Sequence, residues 1–400
     1  MNTNPLKKLV HNKDRIKKIV LPIILFSFAF LIYLITSGGE TPYNYFTRLG
    51  HSFISGKYFL NENPPWLNEL IPLGENKFAV PYPPMPAILS IPFVAIFGKN
   101  FPQQILAHIL GSAISVVTFY ITLNITKNKT KSLWVYLFCS LGNILWYLSS
   151  VGSSWYLGQI SGAFFISLAI YESLKNKRPF LVGVLLGCAY LSRIHLILSV
   201  PFFIFLLYKK DEYKFKNIIL LISGCFIFIG LNSIYNLIRF GVIWDKSYLL
   251  IPGVLDEPWF AHGILNIRYI FNNIKTIFWS FPKKIDTFPY IIPSWNGLSI
   301  WITSPAFLLI ILSPLKNKIT QISYIAALPI LFFVFMHGSN GFAQFGYRFA
   351  VDAYPFLFLI LINSLKERRL NKIDWFLLII SIIVNLWGVV WINKFGWVTF

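Results

Sequence analysis

Acidic residues are scarce in this chain: 15 Asp and Glu stand against 35 Lys and Arg in 400 residues. Only 12% of the residues are charged, about half the share of a soluble domain. With 56% hydrophobic residues and a mean hydropathy of +0.62, the chain has too little polar surface for a soluble fold. It reads as a polytopic membrane protein. Cysteine is also rare. Cys139, Cys188 and Cys225 all lie inside apolar runs and read as small buried apolar residues, which excludes a disulfide scaffold or a thiolate metal site. There is no nucleophile elbow, P-loop, paired CxxC or HExxH. No cofactor is called for, and a divalent metal is not indicated. Low-complexity segments, coiled coils, soluble domains and convincing repeats are absent too.

The cations that dominate the charge are not scattered. Clusters fall at Lys7–Lys18, Lys127–Lys131, Lys175–Arg178, Lys209–Lys216, Lys316–Lys318 and Lys366–Lys372, each where a long apolar run begins or ends. They hold about 22 of the 35 Lys and Arg. The net charge of +20 would suggest nucleic acid in a soluble protein. Here it follows from cations kept on the cytoplasmic side of a bilayer, and no nucleic-acid partner is expected.

A span needs about 20 apolar residues. Spans are expected near 19–37, 104–125, 133–151, 160–174, 180–193, 195–208, 217–238, 298–314, 319–337, 350–365 and 374–393. The first is too long for the apolar core of a signal peptide and reads as an uncleaved span. The fifth and sixth are short enough to form an interrupted hairpin. Ala87–Phe97 is too short to cross. Leaving it at the surface, or re-entrant, places every basic cluster inside. The expected fold is therefore an all-α transmembrane bundle of about eleven spans, with residues 1–400 as a single integral membrane domain. Its N-terminus is cytoplasmic, its C-terminus is outside, and residues 38–103 and 239–297 form two extracytoplasmic segments.

Each of these segments contains one amphipathic stretch. Tyr43, Phe46, Leu49 and Phe53 repeat at helical spacing, with Asn44, Thr47, Arg48, His51 and Ser55 on the other face. Ile264, Ile267, Phe271, Ile274, Phe278 and Phe281 form a second stripe. Two such collars suit an enzyme working at the bilayer surface better than a channel or carrier. Pro64-Pro65 and Tyr82-Pro83-Pro84-Met85-Pro86 are stiff, and the latter can open a helix.

The ionisable residues near this face are few. Glu40, after Ser37-Gly38-Gly39, is either a solvated loop acid or a general base towards a hydroxyl. Arg193 and His195 sit at the tip of the short hairpin. A cation there needs an anionic partner, which a lipid phosphate would supply, or it snorkels to the interface; His195 alone reads as a structural histidine. Arg348 and Asp352, four apart, would share a helix face and pair, either as a structural ion pair or with Arg348 on a phosphate that Asp352 helps orient. Trp155, Tyr156 and Gln159 open the fourth span. Trp155 is a belt residue or a platform for a sugar ring. His108 reads as an interhelical hydrogen-bonding residue, and Lys283 and Lys284 as a general attraction for anionic lipid.

In order and spacing, these features resemble the GT-C class of integral membrane glycosyltransferases, which includes protein O-mannosyltransferases and lipid A aminoarabinose transferases. The resemblance covers most of the chain. It rests on Glu40 after span one, the Tyr43–Phe53 helix, Tyr82-Pro83-Pro84-Met85-Pro86 before a short apolar helix, Leu191-Ser192-Arg193 in the hairpin, and Tyr347-Arg348 through Asp352 to Pro355. The stretch Asn63-Pro64-Pro65-Trp66-Leu67-Asn68-Glu69-Leu70-Ile71-Pro72 is similar to a bacterial subgroup. Where the class usually carries Asp, this chain has Glu40. The resemblance implies transfer of a hexosyl or pentosyl group from a polyprenyl-phosphate donor to a hydroxyl of a glycan, lipid or protein outside the cytoplasm, with inversion. Glu40 would be the base. Arg193, Arg348 and Asp352 would attend the donor phosphate. His51, Tyr82, Trp155, Gln159 and His195 would contact substrate. The rival readings are a lipid or polysaccharide transporter or flippase, and an O-antigen polymerase or ligase.

Overall fold

The computed structural model describes residues 5–208 and 214–399. The side chains of the cluster at Lys7–Lys18, and of Lys209–Lys216 apart from Phe215 and Lys216, lie outside the described ones. The chain runs as α1 (Pro5–Thr36), α2 (Tyr45–Ile54), α3 (Met85–Phe97), α4 (Gln103–Thr126), α5 (Lys129–Leu141), α6 (Leu145–Val151), α7 (Ser154–Lys175) and α8 (Pro179–Tyr190). It continues as α9 (Val200–Tyr208), α10 (Lys214–Phe240), α11 (Ile270–Trp279), α12 (Ile300–Thr303), α13 (Lys318–Phe335), α14 (Tyr354–Lys366) and α15 (Lys372–Val390). Helices dominate because in lipid each backbone N–H and C=O has to find its partner within the protein.

Among the described residues, seven helical stretches are long and apolar enough to cross a membrane: Ile19–Thr36, Gln103–Thr126, Ser154–Lys175, Phe215–Phe240, Lys318–Phe335, Arg348–Lys366 and Lys372–Phe395. An eighth is α5 with α6, bent by 50° between them. These fall on eight of the expected spans. The hairpin at 180–208 is made of shorter apolar helices, Pro179–Tyr190 and Ile194–Leu207. The expected span at 298–314 is broken into α12 and a 3₁₀ helix, Pro305–Leu312. Pro305 has no N–H to continue α12 and keeps Ser304 out of the helical region. Outward-facing Ile23, Leu31, Phe226, Ile234, Phe376 and Ile383 leave a surface that only lipid can cover, and the chain is a multi-pass membrane protein.

Helices in lipid gain little from apolar burial against each other, so they pack closely through small residues. A Cβ built on Gly183 of α8 would fall on the Leu221 carbonyl of α10, and one on Gly224 would fall on the Phe180 carbonyl. Elsewhere polar groups bridge helices. His108 Nδ1 of α4 meets the Ser149 carbonyl of α6 at 2.5 Å, the interhelical role expected of it. All three cysteines are buried.

The Lys127–Lys131 and Lys366–Lys372 clusters meet at one end. Lys131 Nζ donates to the Lys366 carbonyl at 2.7 Å, and Trp134 Nε1 to that of Asp374 at 3.2 Å. Arg368 forks onto both oxygens of Asp374 at 2.6 and 2.7 Å, and Arg178 onto those of Glu172 at 2.6 and 2.8 Å. Asn371 and Asp374 form a capping box that starts α15. The long connections 38–103 and 239–297 lie at the opposite end.

There, Gln103 is the tie. Its Oε1 accepts the Phe46 and Thr47 amides at 3.1 and 3.3 Å, satisfying the first turn of α2, and its Nε2 donates to the Gly152 carbonyl at 2.9 Å. The stripe of α2 does not face lipid, however: Tyr45, Phe46 and Leu49 are buried, and Ser90 Oγ of α3 reaches the Phe46 carbonyl at 3.3 Å. α11 has the reverse arrangement. Asn273 and Thr276 face the protein together with Ile277, while Phe271 and Trp279, and Ile267 just before the helix, look outward. Asn273 Nδ2 donates to the Phe335 and His337 carbonyls at 3.0 and 2.9 Å, which explains why a polar residue is turned in.

Small two-stranded ladders finish this end. β1 (Ile71–Gly74) and β2 (Lys77–Ala79) are antiparallel across Glu75-Asn76, both with positive φ, as a type I′ turn needs. β3 (Lys283–Lys284) pairs β4 (Ile291–Ile292), with both lysines exposed. β5 (Asn296–Leu298) pairs β6 (Gln344–Gly346) in parallel and fixes the strand that leads into Arg348.

Replacing Gly183 by Leu forces α8 and α10 apart and lowers stability by about 1–3 kcal/mol or more. Gly230→Ala on α10, where a new Cβ meets nothing within 4 Å, is neutral or gains up to about 1 kcal/mol. Thermal unfolding of the two variants in one detergent should move in these opposed directions.

Candidate active site

A 3₁₀ helix, Arg348–Ala353, follows β6 and leads into α14. Arg348 begins it and is 7% exposed. Its Nε and Nη2 both donate to the Gly341 carbonyl, at 3.0 and 2.8 Å, and its Nη1 to Gln159 Oε1 at 3.4 Å. Gln159 Nε2 in turn donates to the Arg348 carbonyl at 2.8 Å. The guanidinium lies over the Phe349 and Tyr156 rings, 4.7 and 5.6 Å from their centres. Among the described residues no carboxylate forms a salt bridge with it. Gly341 has φ +103°, and a Cβ there would sit 2.9 Å from Gln344 Oε1 and 3.1 Å from Arg348 Nε. Only glycine can therefore present its carbonyl in this way.

Arg348 does not pair with Asp352, contrary to the expectation from their spacing. A 3₁₀ helix has three residues per turn, so residues four apart point about a third of a turn away from each other. Asp352 is fully buried and turns instead to the hairpin. Its Oδ2 receives Arg193 Nε and Nη2 at 3.3 and 3.2 Å, and meets His195 Nε2 at 2.8 Å. His195 also stacks on Phe333, with ring centres 5.0 Å apart. The hairpin is held in place from α3, whose Met85 amide donates to the Leu191 carbonyl at 3.0 Å. Arg193 remains a quarter exposed, and its Nη1 makes no hydrogen bond to the described protein.

Two cavities meet at Arg348. The larger, about 710 Å³, is lined by Arg193, His195, Tyr82, Lys246 and His337 among apolar walls that include Ile243, Trp244, Leu249 and Phe333. The smaller, about 460 Å³, is lined by Glu40, Glu69, Tyr43, Tyr156 and Asn393. Trp155, Tyr248, Ser339 and Arg348 belong to both and form the partition.

Glu40 stands exposed on a short bend after α1 and makes no hydrogen bond with a described residue. The bend is fixed around it. Gly39 donates to Ser37 Oγ at 3.2 Å, and Tyr43 to Thr41 Oγ1 at 3.3 Å. From beyond α15, Asn393 Nδ2 reaches the Thr36 carbonyl at 3.0 Å and Lys394 Nζ the Ser37 carbonyl at 2.6 Å. Glu69 is the second carboxyl of this cavity. Its Oε2 accepts Trp155 Nε1 at 3.1 Å. Burial pushes its carboxyl up to about 7, against the opposing pull of the Trp155 hydrogen bond and the Arg348 charge.

The structure thus brings Glu40, Trp155 and Arg348 to one hollow, and Arg193, His195, Tyr82, Trp155 and Arg348 to its neighbour. Gln159 lines neither; it is wholly buried behind Arg348 as its support. His51, expected at substrate, lines none of the cavities described, because it falls outside the buried stripe of α2. Glu69, Tyr248, Gly341 and Asn393 were not anticipated. For Glu69 there is a sign, the one acid in the proline-rich stretch Asn63–Pro72. The others come from segments with no pattern of their own. Among the described residues, no three His, Cys, Asp or Glu form a metal-binding group.

No family model and no curated protein matches the chain. Among solved structures it is similar to ArnT from Cupriavidus metallidurans bound to undecaprenyl phosphate, at 11% identity and a TM-score of 0.52, over 90% of this chain and 62% of that one. The apo structure of the same ArnT gives 0.48 at the same identity and coverage. At that identity the first match establishes a shared fold alone, a polytopic helical bundle, in line with the expected architecture. The chain spans about 62% of the length of that ArnT chain.

The raised carboxyl of Glu69 has a consequence for stability. The folded protein keeps this proton up to pH about 7, whereas the unfolded chain releases it near 4.5. Stability is therefore greatest below 4.5, is lost as pH rises to about 7, and changes no further from this group above that. Unfolding midpoints measured across this range should fall more steeply for the wild type than for Glu69→Gln.

Proposed function

We propose that the chain is a membrane glycosyltransferase that moves a sugar from a polyprenyl-phosphate donor to an acceptor hydroxyl of a glycan, lipid or protein. One observation carries this reading: Arg348 is buried, forms no salt bridge with a described residue, and faces the apolar-walled cavity. An unpaired interior cation is costly, and an anionic ligand removes that cost. A phosphate oxygen pair suits the guanidinium fork. The apolar walls suit a prenyl chain, and the similar ArnT structure holds undecaprenyl phosphate.

In this reading the donor phosphate lies in the larger cavity between Arg348 and Arg193. Asp352 orients Arg193 and His195 and does not touch phosphate itself. The sugar passes Trp155 and Tyr248 into the smaller cavity, where the Trp155 face supports its ring. Glu40 takes the proton of the acceptor hydroxyl as that oxygen bonds to the anomeric carbon. The bond from the anomeric carbon to the phosphate oxygen breaks on the far side, so configuration inverts. Its electron pair stays on the phosphate, whose added charge the guanidinium groups stabilise in a site shielded from water. The proton on Glu40 then passes to solvent. Because the cavities lie at the Gln103 end of α4 and the Lys127–Lys131 and Lys366–Lys372 clusters at its other end, we assign the reaction to the extracytoplasmic face, with the N-terminus in the cytoplasm. A flippase would hold its polar groups near the midplane, whereas here they collect at one end.

The test uses the full chain in nanodiscs with a radiolabelled polyprenyl-phosphate sugar. Glu40→Gln loses transfer by about 100-fold or more, yet keeps its stabilisation by undecaprenyl phosphate. Arg348→Gln weakens undecaprenyl phosphate binding by about tenfold or more. Full transfer by Glu40→Gln removes Glu40 from the reaction, and unchanged affinity in Arg348→Gln removes the phosphate contact.

A further inference from the structure

A third hollow, about 240 Å³, opens on the side of Glu40 away from the donor cavity. Glu40 and Thr41 line both it and the 460 Å³ cavity, so the three hollows form a series, with Arg348 at one junction and Glu40 at the other. The other polar residues around it are Asn44, Arg48, Lys99, Asn100 and Gln103, the last already engaged with α2 and the Gly152 carbonyl. It is smaller than an ordinary ligand pocket and suits about one sugar ring or headgroup.

Its charges are arranged in a particular way. Arg48 Nε donates to Asn44 Oδ1 at 2.7 Å, which aims the guanidinium. Arg48 Nη1 pairs with Glu62, and Lys99 Nζ lies 3.8 Å from the other oxygen of the same carboxylate. Glu62 does not line the hollow, and its side chain is 39% exposed. A solvated carboxylate thus bridges two cations that face a polar pocket beside the proposed base. A bridge of this kind is weak and is readily displaced by a stronger anion.

We infer that this hollow is the acceptor subsite and that the acceptor is a hydroxylated molecule bearing an anionic group. The inference rests on the glycosyl-transfer reading above. Arg48 and Lys99 take the phosphate or carboxylate in place of Glu62. Asn44, Asn100 and Thr41 meet hydroxyls, and one hydroxyl is left against Glu40. Both a free anionic glycan and the headgroup of an anionic glycolipid have this chemistry.

The probes are methyl α-glucoside 6-phosphate, the same glycoside without phosphate, and dodecyl glucoside 6-phosphate. Each is titrated calorimetrically into the full chain in nanodiscs containing saturating undecaprenyl phosphate. A phosphorylated probe is expected to bind about tenfold or more tightly than the neutral glycoside. Arg48→Gln with Lys99→Gln abolishes that preference while undecaprenyl phosphate still stabilises the protein, which shows that the variant is folded. Glu62→Gln frees both cations and strengthens binding, a gain that misfolding cannot mimic. If only the dodecyl probe binds, the acceptor is membrane-borne; if the soluble phosphate binds as well, a free glycan is accepted. Equal binding of charged and neutral probes, no binding of any probe, or a preference that survives in the double variant overturns the inference. If undecaprenyl phosphate fails to stabilise the wild type, it is the donor reading that fails, whatever the probes do.

Discussion

Arg348 holds a full positive charge inside the bundle, and among the described residues its N–H groups meet neutral oxygens alone. An arginine cannot lose its proton to escape this situation. The surrounding chain is therefore built to keep those oxygens in place. Gly341 adopts a conformation closed to other residues and turns its carbonyl towards both Nε and Nη2. Gln344 holds the Arg348 amide at 2.9 Å, and the parallel β5–β6 pair holds Gln344. Gln159, in the second turn of α7, closes the ring of contacts from the bundle side. Ordering this loop serves one charge, and the two cavities are arranged on either side of it.

Arg193 is handled differently. Its charge is matched by Asp352, which also holds His195, so the hairpin tip is fixed by a three-way contact. Counting Arg193, Arg348 and Lys246 against Asp352 and Asp245 leaves a single positive charge beside the donor cavity. That balance suits a ligand that gains negative charge as it reacts: a site neutralised in advance would give no differential stabilisation, and a more positive one would hold the product too firmly.

Much of the bundle was legible in the sequence, because span length and basic clustering are local properties. The breaks were less so. Pro305 in the expected 298–314 span was visible, but whether a proline kinks a helix or ends it depends on neighbours distant in sequence. Amphipathic spacing located α2 and α11, but not their orientation. In α11, Asn273 is turned inward because the Phe335 and His337 carbonyls accept from it. In the site, single-residue chemistry picked out Glu40, Arg193, Arg348 and Asp352. The helical spacing rule then joined the wrong pair, since it assumes 3.6 residues per turn where the chain winds tighter. Glu69, Tyr248 and Asn393 become neighbours of Glu40 only through tertiary folding, and no one-dimensional pattern carries that.

The bend that bears Glu40 is braced by Asn393 and Lys394, 357 residues later in the chain. A membrane protein is inserted from its N-terminus as it is synthesised, so the first helix is in the bilayer long before its brace exists. Throughout that interval the loop is unsupported, and the carboxylate has no fixed position relative to the guanidinium groups. Competence thus waits for the segment after α15, which acts as a latch.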